Sequence, residues 1–163
     1  MELKIYYLPS NEMLSRLCAL VYKIYKLQQT TVILLSNKDD ITVLDDKLWT
    51  FRQDAFIPHG IVNKSVLDSQ QSVLLIDKLE EKFLNDRNSL IITTESAELI
   101  MKIYNSSAVQ KKTAKDNDFY IICIVPYVDI IPYKIIEQVK NFTKTKGLAQ
   151  KQLLLTGKEW QVV

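Results

Sequence analysis

Apolar positions along the chain fall into two alternating periods. Residues 3–8 (LKIYYL) are a short apolar and aromatic run closed by Pro9, the pattern of a β-strand. Ser10 and Asn11 follow, and either side chain can cap a helix by accepting free backbone N–H groups. Leu14, Leu17, Cys18, Val21, Ile24 and Tyr25 then recur at the spacing of one helix face. Residues 31–35 (TVILL) are apolar on both parities, so this strand is buried on both sides and helices must cover the sheet above and below. Strand, helix and strand in such close succession form a βαβ unit, which predicts a parallel pair with a right-handed crossover.

The same reading continues downstream. A second helix is expected over residues 39–49, with Ile41, Leu44 and Leu48 on one stripe. Residues 71–76, 90–93 and 119–125 supply three further strand-like runs, and residues 95–104 read as a helix carrying Ala97, Leu99, Ile100 and Ile103. The charged linker 77–88 reads as a short amphipathic helix or an insertion. Residues 105–118 are polar without apolar periodicity, which predicts a mobile surface loop. Pro132 suits the first turn of a last helix, with Ile135, Val139 and Phe142 as its apolar line and Gly147 as its stop. Residues 152–155 and 160–163 are apolar enough to dock as an edge strand. No repeat or Pro/Gly/Ser linker divides the chain. The pattern predicts one α/β domain over residues 1–163, a three-layer sandwich with a mostly parallel sheet and helices on both faces.

Composition narrows the chemistry. The 163 residues are 47% hydrophobic and 25% charged, which is globular composition. The net charge of +2 is too small to argue for nucleic acid by itself. One histidine and two cysteines cannot build a zinc ribbon or a disulfide framework. Cys18 and Cys123 each sit in an apolar run and read as buried thiols of a reducing compartment. No signal-peptide pattern opens the chain, and its longest apolar runs fall far short of the ~20 residues of a membrane helix. A soluble, cytoplasmic protein without membrane contact is the expectation.

A βαβ opening invites a nucleotide, and its phosphate would sit at the first strand–helix turn, LPSNEM. That turn has no glycine to let backbone approach an anion, and Glu12 repels one. Neither G-x-G-x-x-G nor a P-loop occurs anywhere. Cys18 or Cys123 with His59 is the only thiol–imidazole pairing on offer, and both thiols lie in apolar periodicity. Asp39, Asp40, Asp45 and Asp46 could suggest a metal site, but they fit the solvated face of an acidic helix, with Asp39 and Asp40 suited to its first turn. No catalytic residue, metal or cofactor is expected.

One segment carries more apolar surface than local structure demands. Residues 44–60 (LDDKLWTFRQDAFIPHG) place Trp49, Phe51, Phe56, Ile57, Pro58 and His59 close together. Two readings stand: core residues that pin a loop down, or a protein–protein hot spot with aromatic anchors. Leu44, Asp45, Leu48 and Trp49, followed by Ala55, Phe56, Ile57, Pro58 and His59, have the spacing Leu-Asp-x-x-Leu-Trp, gap, Ser/Ala-Phe-hydrophobic-Pro-His. In this the chain resembles the chi subunit of bacterial DNA polymerase III holoenzyme. Tyr6 and Tyr7 in the first strand, Val125, Pro126 and Tyr127 closing a late one, and Gly147 and Trp160 near the end agree with it.

The resemblance implies a nucleotide-binding-like fold without a nucleotide site. It also implies a non-catalytic accessory subunit that acts in DNA replication by bridging two proteins and meets nucleic acid only indirectly. One partner is the psi subunit of the clamp-loader complex, met through Trp49, Phe56, Ile57 and Pro58. The other is the acidic, Phe-terminated tail of single-stranded DNA-binding protein, met at Val125 and Tyr127 and along the last helix. Family members place arginine, an aromatic and lysine on that helix, but residues 135–141 (IIEQVKN) have neither arginine nor aromatic, and Glu137 has the wrong sign. Lys140 and Lys144, helped by Lys134 and Lys146, would carry the attraction as point charges. From residue 132 to 163 there are six lysines against two glutamates, which suits an acidic partner. The alternatives are a small α/β enzyme with a degenerate nucleotide site, or an adaptor presenting the same aromatic patch to a helicase or repair partner.

Overall fold

The computed structural model describes residues 2–54, 56–62 and 71–163, so Ala55 of the aromatic motif lies outside the described residues. Eight strands form one sheet: β1 (Glu2–Pro9), β2 (Thr31–Leu35), β3 (His59–Ile61), β4 (Val73–Ile76), β5 (Ser89–Thr93), β6 (Tyr120–Tyr127), β7 (Ala149–Thr156) and β8 (Glu159–Val162). Their order is β3-β4-β2-β5-β6-β1-β7-β8, parallel throughout except for the antiparallel β7–β8 pair. β1 and β2 are parallel but not neighbours, because β6 and β5 lie between them. The expected α/β sandwich is present; the expected adjacent pair is not.

Side-chain alternation along the strands divides the core into two layers. Val32 and Leu34, Leu90 and Ile92, and Ile121, Cys123 and Val125 face one side. There they meet α3 (Ala97–Tyr104), α4 (Ser107–Lys115) and α5 (Tyr133–Lys146). Ile33 and Leu35, Ile91, and Ile122 and Ile124 face the other, under α1 (Ser10–Lys26) and α2 (Lys38–Thr50). A strand apolar on both parities is therefore one sandwiched between helices.

Local chemistry sets the helix ends, with some departures from expectation. Asn37 caps α2 by accepting from Asp39 N at 3.0 Å, and Ile41, Leu44 and Leu48 are its buried stripe. In α1 neither Ser10 nor Asn11 caps; β1 runs straight into the helix through Pro9, whose fixed φ already suits a helix start. Gly147 ends α5 with φ 62°, a left-handed conformation that any Cβ would strain. The buried line of α5 is Ile136, Val139 and Thr143, and Ile135 and Phe142 flank it half-buried.

Three stretches differ from their sequence reading. Residues 105–118 contain α4 rather than a loop: Ser106 caps it, and Ala108 and Val109 are its buried residues. Two adjacent apolar residues make no helical period, yet they suffice once Lys111 pairs with Glu81 at 2.8 Å and Lys112 with Asp116 at 3.0 Å. The charged linker 77–88 holds a 3-10 turn (Glu81–Leu84) that drives Phe83 and Leu84 into the core. The C-terminal residues form a hairpin, with β7 internal and only β8 at the edge.

A polar chain that starts in the core at Tyr7 and Gln152 and ends at the exposed Gln150 fastens α5 to the sheet. The Tyr7 hydroxyl donates to Gln152 Oε1 at 2.7 Å, Gln152 Nε2 donates to Gln150 Oε1 at 2.9 Å, and the Thr143 hydroxyl reaches the same Gln150 oxygen. Burial pushes the Tyr7 phenol well above its ordinary pKa, so it remains a donor at every physiological pH.

Candidate docking sites

In a doubly wound sheet, small ligands bind beyond the carboxyl ends of the strands. Here that crevice has a volume of about 390 Å³ and is lined by Asp40, Glu95, Asn37, Thr94 and Ser96 around Met13. Two carboxylates face it, and Glu12 sits in the first turn of α1, ion-paired to Arg16 at 2.9 Å. Anionic phosphate would meet negative charge without a glycine cradle. Among the described residues no three His, Cys, Asp or Glu side chains converge to hold a metal. Burial raises the thiol of Cys18 to about 11, slightly offset by Lys47, and that of Cys123 to about 12. Neither is poised as a nucleophile at neutral pH. No described helix is long and apolar enough to cross a membrane.

The aromatic segment forms a compact surface. Trp49 sits in the last turn of α2, and Phe56 precedes β3. Their rings meet at 5.0 Å with a 34° tilt, and they are 57% and 52% exposed. The core reading of these two side chains is therefore wrong; the framework beneath them is Leu44, Leu48 and Ile57, all buried. Ile57 is 1% exposed and offers no surface to a partner, which corrects its expected role as a contact. Pro58 is half-buried, and its carbonyl accepts from Val73 N at 3.1 Å, fixing the start of β3 against β4. Ile61, 40% exposed and two residues beyond His59, lies on the same face of the edge strand and extends the patch. A three-residue strand is too short to declare itself by alternation, so sequence reasoning missed it.

The residues expected to meet an acidic tail are less closely gathered. Val125 is fully buried against the α5 side of the sheet and cannot touch a partner, so that expectation is also corrected. Tyr127 is half-buried, and its hydroxyl donates to Leu155 O at 2.7 Å. Lys144 is exposed, and Lys140 is half-exposed, lying 3.9 Å from Glu137. Tyr133, Glu137, Lys140 and Lys144 are spaced as one stripe along α5, and Tyr133 is 64% exposed. The aromatic absent from residues 135–141 thus stands one turn earlier, beside exposed Val128 and Ile130. From Tyr133 to Lys144 the helix rises about 16 Å, the reach of about five extended residues.

No curated protein matches the chain at a significant level. Among solved structures, the UvsW helicase from bacteriophage T4 aligns with TM-score 0.58 at 10% identity. The alignment covers 93% of this chain, which spans only 54% of the helicase. The C-terminal domain of the DEAD-box protein Dbp5 aligns with TM-score 0.55 at 13% identity, over 92% of this chain and 90% of that one. Likeness at such identity establishes the α/β fold alone. The family model described as DNA polymerase III chi subunit, HolC, matches residues 1–117, a span that holds β1 through α4 and the whole aromatic surface but stops before α5, and the chain belongs to that family.

Proposed function

We propose that this chi-family chain is a non-catalytic adaptor of the replication machinery, with the psi subunit docking on the Trp49–Phe56 surface and the acidic tail of single-stranded DNA-binding protein lying along α5. The observation that carries this reading is the aromatic pair: two large rings in tilted contact with each other and more than half exposed, above a buried frame. Exposed aromatics on a rigid support are the usual anchors of protein interfaces. Such an adaptor would raise the effective concentration of the polymerase assembly at coated template without chemistry of its own. The negatively lined crevice supports the non-catalytic half. Nucleotides with Mg²⁺ are expected to shift the melting temperature by less than about 1 °C, whereas stabilisation of several degrees would revive the enzyme alternative.

The direct experiment is a pull-down against single-stranded DNA-binding protein with and without its terminal residues, with psi tested in parallel. Tail binding rests on lysines without an arginine fork, so it is expected to weaken on the order of tenfold between ~0.05 M and ~0.5 M salt. An affinity indifferent to salt would remove α5 from that role. Capture that survives deletion of the tail would do the same.

A further inference from the structure

A second crevice opens at the carboxyl ends of β2 and β4, on the face of the sheet that α3 and α4 cover. Its volume is about 430 Å³, which is within the range of small-ligand pockets. Leu34 and Ile103, both buried, and Leu79 and Leu99, both half-buried, supply its apolar lining. Leu34 takes the parity of β2 that faces this layer, and Leu79 follows β4. Leu99 and Ile103 stand one turn apart on α3, so they share a face. Water in contact with such a surface is displaced favourably by an apolar ligand.

Charge on the rim is uneven once its pairings are counted. Asp77 is held by Lys38 at 3.2 Å and Glu81 by Lys111 at 2.8 Å, and neither of those lysines lines the crevice. Lys78 and Lys102, both exposed, do line it and have no ion-pair partner among the described residues. Its uncompensated charge is therefore positive, opposite to that of the neighbouring crevice with Asp40 and Glu95. Two lysines without a glycine cradle do not hold a polyphosphate, whereas two point charges suit a single carboxylate.

We propose that this crevice binds a small amphipathic anion: an apolar chain or ring of roughly ten carbons against Leu34, Leu79, Leu99 and Ile103, with a carboxylate at the mouth facing Lys78 and Lys102. Buried apolar area supplies the affinity, and the exposed lysines select the sign of the head group. The site lies on the helical layer opposite α2 and stands independently of the docking reading.

Isothermal titration of the intact chain with decanoate, followed by methyl NMR, tests this. One saturable site with a Kd of about 1 mM or tighter is expected, with shifts centred on Leu34, Leu79, Leu99 and Ile103. Decylamine carries the same chain with the opposite charge and should bind at least ~10-fold more weakly. Acetate has the charge without the chain and should give no measurable heat. Lys78→Ala combined with Lys102→Ala should weaken decanoate about fivefold and leave the melting temperature unchanged. Leu99→Trp fills the space and should abolish binding; should that variant fail to fold, the double lysine variant still decides the matter. No saturation by about 10 mM decanoate, decylamine binding as tightly as decanoate, or shifts spread over other parts of the chain would each overturn the proposal.

Discussion

Trp49→Ala and Phe56→Ala should each weaken psi binding by at least ~2 kcal/mol, roughly 30-fold, and leave the fold intact. The two effects separate because of where the rings sit. Each is more than half exposed, so truncation removes little buried area from the free protein. What the free protein loses is chiefly the Trp49–Phe56 contact at 5.0 Å and each ring's contact with His59, each on the order of 1 kcal/mol. In a complex the same rings would be fully desolvated, and their loss would be felt in full. Isothermal titration with psi, paired with thermal melts of each variant, reads both quantities. If both variants unfold at moderate temperature, the rings are structural after all; if both bind psi unchanged, the surface has another use.

Burial was legible in β2 and α2, where the period is clear, and less so in α5, whose buried line is Ile136, Val139 and Thr143; direction was not. The apolar run Val32–Leu35 of β2 and the Ile41, Leu44 and Leu48 stripe of α2 announce sandwiched strands and a covering helix, because burial demands those spacings. Strand order could not be read the same way: the placement of β5 and β6 between β1 and β2 depends on long-range pairing that no local pattern encodes. α4 escaped because it rests against the turn at Glu81–Leu84, with the Lys111–Glu81 pair between them, and not on its own period. At the aromatic surface, composition identified the segment but not which residues face out. Phe56 and Ile57 are neighbours of similar hydropathy, one half exposed and the other 1% exposed. Both precede the regular strand β3, so no local period tells them apart. Val125 failed as a contact because its strand parity aims it under α5. Tyr133 lies one turn before residues 135–141, at the first position of α5, where no apolar period marks it as exposed.

Gln152→Ala is expected to destabilise the protein by about 3 kcal/mol, although Gln152 is polar and remote from the aromatic surface. Gln152 is 2% exposed and is the acceptor of the buried Tyr7 hydroxyl. Removing it strands that hydroxyl without an acceptor in a fully buried site and opens a cavity between β1 and β7. It also breaks the chain through Gln150 to Thr143 that secures α5. For a chain of this size the loss corresponds to roughly 6–12 °C in melting temperature. The mechanism makes a sharper demand than the magnitude. Tyr7→Phe with Gln152→Leu removes donor and acceptor together and refills the space, so the double variant should recover most of the lost stability. A cost below ~0.5 kcal/mol for Gln152→Ala, or a double variant no better than the single, would show that the buried Tyr7–Gln152 bond does not hold β1 and β7 together. Because Lys140 and Lys144 ride on α5, Gln152→Ala should also weaken tail binding at temperatures near its lowered melting point, while psi docking on the opposite helical layer follows only global unfolding.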